Sequence, residues 1–90
     1  MSNTTANQIE VVVECHGALT QTFGNDAFRL QLAGDPPNVT ALMQALRERQ
    51  PQASTLIERS AVARGDQLLN GTQTLAADDR VALIPPVSGG

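Results

Sequence analysis

Apolar and polar residues alternate along two stretches of the N-terminal half, residues 9–15 and residues 27–32. Alternation with a period of two predicts β-strands that each bury one face. The residues predicted to face the core are Ile9, Val11, Val13, Cys15, Phe28, Leu30 and Leu32. Between them, a short helical turn is predicted from Ala18 to Phe23, so the two strands are expected to pair across a long loop.

The spacing of apolar residues becomes helical after a turn at residues 34–37. Asn38 suits the N-cap position, because its side-chain oxygen can accept a free backbone N–H of the first turn. The apolar positions at i, i+3, i+4 and i+7 then form one stripe, made of Val39, Leu42, Met43 and Leu46. Pro51 predicts the end of this helix, and residues 53–57 predict another short turn of helix.

Three further strands are predicted at residues 60–64, 68–69 and 81–85, which gives the order β-β-α-β-β-β. One helix of about three turns can cover only one face of a four- or five-stranded sheet. The expected fold class is therefore α+β, a mixed sheet with one main helix on one face. The other face of the sheet is expected to be open.

The last strand is apolar on both of its faces, because Val81 and Leu83 lie on one face and Ala82 and Ile84 lie on the other. The first strand likewise carries Val12 on its second face. An apolar surface on the open face of a sheet suggests a partner-docking site, for which Val12 and Ile84 are the candidates. A strand in the middle of the sheet that is apolar for packing reasons explains the pattern equally well.

Composition limits the classes of function. Ninety residues fit one domain, and six Arg against nine Asp and Glu give a net charge of −3 without any Lys. Nucleic-acid binding needs a basic surface and is not expected. The polar start, residues 1–7, predicts a disordered tail rather than a signal peptide, and no apolar run approaches the roughly 20 residues of a membrane span. The expected compartment is the cytoplasm.

The chain offers few groups for catalysis. Cys15 and His16 are adjacent on a strand, so their side chains point to opposite faces and cannot readily form a dyad. Asp78 and Asp79 lie in a predicted turn with no further ligand implied, so no metal site is expected. The chain is therefore not expected to be an enzyme by itself, nor to hold a cofactor stably.

The most unusual segment is the ending at residues 85–90, Pro85-Pro86-Val87-Ser88-Gly89-Gly90. Prolines fix φ and reduce the entropy lost when a tail inserts into a partner, and glycines let the backbone approach a wall closely. Residues 87–90 could reach roughly 13 Å at about 3.3 Å per residue. Joined to AMP, the α-carboxylate of Gly90 would become an acyl adenylate, from which a sulfur nucleophile could displace AMP to leave a thiocarboxylate.

Residues 79–90, DRVALIPPVSGG, resemble the ending of the small subunits of molybdopterin synthase, a family of ubiquitin-like β-grasp sulfur carriers. The resemblance implies a β-grasp fold and activation of Gly90 by an ATP-dependent adenylating enzyme, through a transient glycyl adenylate to a C-terminal 1-thioglycine. It also implies insertion of the tail into the large synthase subunit, sulfur transfer to a cyclic pyranopterin precursor during molybdenum cofactor biosynthesis, and a heterotetramer of two carriers on two large subunits.

The expected division is a disordered tail at residues 1–7, a β-grasp domain at residues 8–84 and an extended tail at residues 85–90. Three alternatives for the function stay open. The chain could carry sulfur for thiamine or another pathway, it could be a ubiquitin-like protein modifier that forms isopeptides through Gly90, or it could be an interaction module whose terminal glycines are incidental.

Overall fold

The computed structural model of the protein describes residues 8–86. Residues 1–7, predicted to be a disordered tail, and residues 87–90 lie outside the described residues. The described chain forms, in order, β1 (Gln8–Cys15), α1 (Ala18–Phe23), β2 (Ala27–Ala33), α2 (Val39–Arg49), a 3₁₀ turn (Pro51–Ala53), α3 (Ser54–Glu58), β3 (Ala61–Arg64), β4 (Gln67–Leu69) and β5 (Arg80–Ile84).

The strands form one five-stranded mixed sheet in the order β2-β1-β5-β3-β4. β1 pairs antiparallel with β2, as predicted, while β3 pairs antiparallel with both β4 and β5. β1 and β5 are parallel, with Val12 opposite Arg80 at one end and Cys15 opposite Leu83 at the other. The first and last strands of the chain are therefore neighbours in the middle of the sheet.

The main helix, α2, begins and ends as the sequence predicts. The Asn38 side-chain oxygen accepts a hydrogen bond of 2.9 Å from the Ala41 N–H, which caps the first turn. Two arginines lie in the last turn, where cations favour the negative end of the helix dipole. The buried residues of α2 are Val39, Leu42 and Leu46.

Helices and sheet enclose one apolar core, and among the described residues no polar or charged side chain is buried. Ile9, Phe28 and Met43, all predicted to face inward, are partly buried and pack against this core. The buried core cluster comprises Val11, Val13, Cys15, Leu19, Leu30, Leu32, Val39, Leu42, Leu46, Ile57, Val62, Leu69, Leu75, Val81 and Leu83. The predicted α+β class, with the main helix on one face of a mixed sheet, is confirmed.

Each strand differs from its predicted range by one residue, at one end in β1 to β4 and at both ends in β5. β3 begins at Ala61, because the Ser60 N–H and hydroxyl donate to the Ile57 and Leu56 carbonyls and so end α3. β5 runs from Arg80 to Ile84, because Arg80 takes part in the parallel pairing and Pro85 has no N–H to donate to a ladder.

Asp79 fixes the segment that leads into β5. One of its carboxylate oxygens accepts from the Arg64 guanidinium at 2.8 Å and from the Ala76 N–H at 2.9 Å. Its carbonyl oxygen accepts from the Val12 N–H at 2.8 Å. Side chain and backbone of one residue therefore tie the β4–β5 connection to both β3 and β1.

Replacing Asp79 with Ala is expected to lower the free energy of unfolding by about 1–2 kcal/mol, because two acceptor contacts are lost in a half-buried setting. Urea unfolding followed by circular dichroism measures this change. Asp66→Ala is the matched control, since Asp66 is an exposed carboxylate in the β3–β4 turn. Equal stability of the two variants would contradict the structural role of Asp79.

The Cys15 side chain is 6% exposed. Burial, with a smaller contribution from the Asp26 carboxylate, raises the pKa of its thiol. Because the thiolate is the reactive form, the folded protein should resist iodoacetamide at mildly alkaline pH, and the same protein in urea should be alkylated. Mass spectrometry of the two samples checks this, and rapid stoichiometric labelling of the folded protein would contradict it.

Candidate functional site

The C-terminal segment leaves the domain from the middle of the sheet. Because β1 and β5 are parallel neighbours, their carboxyl ends lie side by side, with Cys15 opposite Leu83. After Ile84 the chain continues through Pro85, which is partly buried, and Pro86, which is exposed. Pro85 lies against Gly17, the residue at which the chain turns from β1 into α1.

The remaining predicted tail residues, Val87, Ser88, Gly89 and Gly90, lie outside the described residues. The role assigned to Gly90 from the sequence therefore stays a prediction. The described part of the site is the root of this tail, formed by Pro85 and Pro86, together with the sheet face beside it.

One half of the open sheet face is apolar. Strand register places Ala82, Ala63 and Leu68 in one row across β5, β3 and β4. In the next row Ile84 lies opposite Ala61. Leu68 is 70% exposed and Ile84 is 39% exposed, and they are the exposed large hydrophobic residues of the described chain. We call the accessible part of this surface, made of Ala61, Leu68, Ala82 and Ile84, the apolar patch, since Ala63 is only 8% exposed.

Val12 lies on the same open face but is only 8% exposed. Its register partners are Arg29 on β2 and Arg80 on β5, and long side chains of this kind cover apolar neighbours with their methylene stems. Of the two residues predicted for docking, Ile84 therefore offers surface and Val12 offers little.

The other half of the open face is charged. Arg29 donates to Glu10 at 3.1 Å and Arg80 donates to Glu14 at 2.6 Å, so each arginine is paired with an acid on β1. Asp78 lies 3.8 Å from Arg29. Because these side chains are largely exposed, the pairs contribute little to stability. Their effect is to give the open face one polar and one apolar half.

Leu68 is the residue of this site that the sequence reasoning missed. The available signal was the pair Leu68-Leu69 on a very short predicted strand. Adjacent residues of a strand point to opposite faces, so one leucine of the pair had to face away from the core. The structure buries Leu69 and exposes Leu68.

The groups that suggested catalysis in the sequence are not brought together. Cys15 is buried in the core while His16 is exposed. Within residues 8–86, no three side chains of His, Cys, Asp or Glu form a group that could hold a metal ion. In the same range, no helix has the length and apolar character needed to cross a membrane.

Comparisons with known proteins agree with this architecture. A molybdopterin synthase sulfur carrier subunit from Dictyostelium discoideum is 28% identical over 87 residues, which is 94% of this chain and 99% of the relative. The crystal structure of SAMP1 from Haloferax volcanii superposes with a TM-score of 0.74 at 25% identity, covering 90% of this chain and 99% of the other.

A second similar structure contains a complex. Subunits 1 and 2 of the molybdopterin-converting factor from Helicobacter pylori were solved together, and the matching chain covers 91% of this one and all (100%) of its own length. The TM-score is 0.62 at 23% identity, which supports the fold.

The strand order, the helix on one face and these structural neighbours confirm the predicted ubiquitin-like β-grasp fold. The model of the ThiS family matches residues 18–90, which is most of the chain and includes both the apolar patch and the tail. The chain belongs to the ThiS family.

Proposed function

We propose that this chain is the sulfur-carrier subunit of a molybdopterin synthase, with the α-carboxylate of Gly90 as the reacting group. The observation that carries the proposal is the position of Pro85 and Pro86 at the end of the central strand, directly beside an exposed apolar patch, with Val-Ser-Gly-Gly following them in the sequence. The similarity to the Dictyostelium carrier over nearly the whole of both chains supports the choice of pathway.

In the proposed chemistry, the Gly90 carboxylate attacks the α-phosphate of ATP and forms a glycyl adenylate, with release of pyrophosphate. A thiol reductant attacks the inner sulfur of a persulfide donor and forms a disulfide with it, which releases the outer sulfur as hydrosulfide, and the hydrosulfide then attacks the acyl carbon. The bond to AMP breaks, AMP leaves with the electron pair, and a thiocarboxylate remains. The thiocarboxylate sulfur next forms a bond to a carbon of the pyranopterin precursor and displaces an oxygen leaving group from that carbon. Water then cleaves the acyl–sulfur bond of the resulting thioester, so that the sulfur stays on the product and Gly90 is again a carboxylate.

The catalytic groups for these steps belong to partner proteins in this proposal. The carrier contributes a thin substrate tail and a surface that docks it. The apolar patch is proposed to bind the large synthase subunit and, at another time, the adenylating enzyme. The Helicobacter pylori complex supports the first of these partners, since the chain matched there was solved with its subunit 2.

A second candidate function is protein modification through an isopeptide bond at Gly90. It is favoured by the similarity to SAMP1, a small archaeal modifier protein, because that similarity extends over 90% of this chain. The two functions differ in the product, because a modifier accumulates as conjugates of higher mass, whereas a sulfur carrier returns as the free chain.

Incubation with an adenylating enzyme of the same organism, ATP and a sulfur donor is expected to convert the carrier to its thiocarboxylate. The intact mass should rise by the difference between one sulfur and one oxygen atom, located to the C-terminal peptide by mass spectrometry. No rise with an enzyme preparation that is shown to release pyrophosphate in the presence of the carrier would contradict the sulfur-carrier proposal.

The matched control is a chain that lacks Gly90. This variant should keep the circular dichroism spectrum and unfolding midpoint of the full chain, and it should gain no sulfur. Sulfur gained elsewhere in that variant, for example at Cys15, would contradict the assignment of Gly90 as the acceptor.

Leu68→Asp is expected to weaken binding of the large subunit. The lost burial of one leucine side chain is worth about 2 kcal/mol, or about 30-fold in Kd. Titration calorimetry measures the affinity. Gln67→Asp places the same charge one residue away on the same strand and should bind as the unmodified chain does. Similar losses for both variants would indicate that charge, and not the apolar patch, governs binding.

A further inference from the structure

Gly17 lies against the root of the tail, where an added side chain would be in tight contact with Pro85. A Cβ placed on Gly17 would lie 3.1 Å from the Cγ atom of Pro85 and 3.9 Å from its Cδ atom. Carbon atoms in good contact are about 3.5–4.0 Å apart. A side chain at position 17 would therefore need the Pro85 ring to shift by a few tenths of an ångström.

The backbone around Gly17 is held in place from both sides. On one side, the Cys15 N–H donates to the Asp26 carbonyl at 2.7 Å. On the other side, the Gly17 carbonyl accepts from the Thr20 N–H at 3.1 Å, in the first turn of α1. Leu19 of the same turn is fully buried in the core. When a side chain is added at position 17, Pro85 is thus the group that is displaced.

Gly24 provides an internal comparison. Both glycines have a positive φ, +56° at Gly17 and +73° at Gly24, so any other residue is strained at either position. A Cβ on Gly24 would meet nothing within 4 Å. The strain is not equal, because Gly24 has a left-handed helical ψ of 12° whereas Gly17 has a ψ of −136°, a combination that residues with a side chain rarely adopt. Of the two positions, only Gly17 adds contact with Pro85.

We propose that Gly17 is a positioning residue for the tail. Because Gly17 has no side chain, the Pro85 ring can pack directly against it. In this proposal, the contact between Gly17 and Pro85 sets the direction of the tail relative to Ile84 of the apolar patch. This inference rests on the proposed function, because direction matters only if patch and tail engage one partner together. A chain of five residues can reach at most roughly 16 Å, so a small rotation at Pro85 can produce a larger displacement at the end of such a segment.

The test compares Gly17→Ala, Gly24→Ala, Pro85→Ala and the double variant Gly17→Ala/Pro85→Ala. Adenylation is followed as pyrophosphate release by the adenylating enzyme, and unfolding is followed by circular dichroism. Gly17→Ala should lose more stability than Gly24→Ala, because alanine adopts the backbone conformation of Gly17 less readily, so kcat is compared at a temperature at which every variant is folded. Gly17→Ala alone should lower kcat, by about five- to tenfold, with KM unchanged, because docking through the apolar patch is intact.

The double variant decides whether the contact is the cause. Alanine at position 85 lacks the Cγ and Cδ atoms, so adding Gly17→Ala to Pro85→Ala should change kcat by less than about twofold. Equal kcat for Gly17→Ala and Gly24→Ala, or an undiminished Gly17→Ala effect in the Pro85→Ala background, would overturn the inference. If the unmodified chain is not adenylated at all, the proposed function fails and this inference fails with it.

Discussion

The parallel pairing of β1 with β5 is the constraint on which the rest of the structure depends. It joins segments from opposite ends of the chain, with Cys15 opposite Leu83, and it places the final strand between β1 and β3. Because parallel strands end at the same edge of a sheet, the chain emerges beside the turn at Gly17. The same pairing sets the boundary between the two halves of the open face, since Arg80 of the charged half and Ala82 of the apolar patch are successive residues of β5 on that face.

Local patterns were sufficient for most of the elements. The Asn38 cap, the apolar stripe of α2 and the stop at Pro51 each act within a few residues, and all were predicted from the sequence. The order of strands was not, because no local signal says that the last strand lies parallel to the first. The exact ends of β5 depended on that order as well, since Arg80 belongs to the strand through its pairing with Val12.

The apolar pattern on both faces of β5 had two explanations in the sequence, a docking surface and a central strand. Both apply, at different residues. Val12 is covered because its register partners are long arginines, whereas Ile84 is exposed beside Ala61, which is too small to cover it. Exposure on an open sheet face is decided by side-chain length on the neighbouring strands. Sequence alone could not supply that register, although alternation along the strand did indicate that one of Leu68 and Leu69 faces away from the core.

In the proposed function, one carrier meets two partners in turn, and this requirement explains a small patch joined to a short tail. A larger apolar surface would bind one partner too tightly to be released to the other. Docking through the patch instead holds the tail at a high effective concentration near the partner's active site, provided that the tail leaves in a direction that reaches it. The apolar patch then governs which partner is bound, and the contact between Gly17 and Pro85 governs whether the tail of the bound carrier reaches the partner's active site. Since Ile84 and Pro85 are consecutive residues, the fold controls both properties at a single point of the chain.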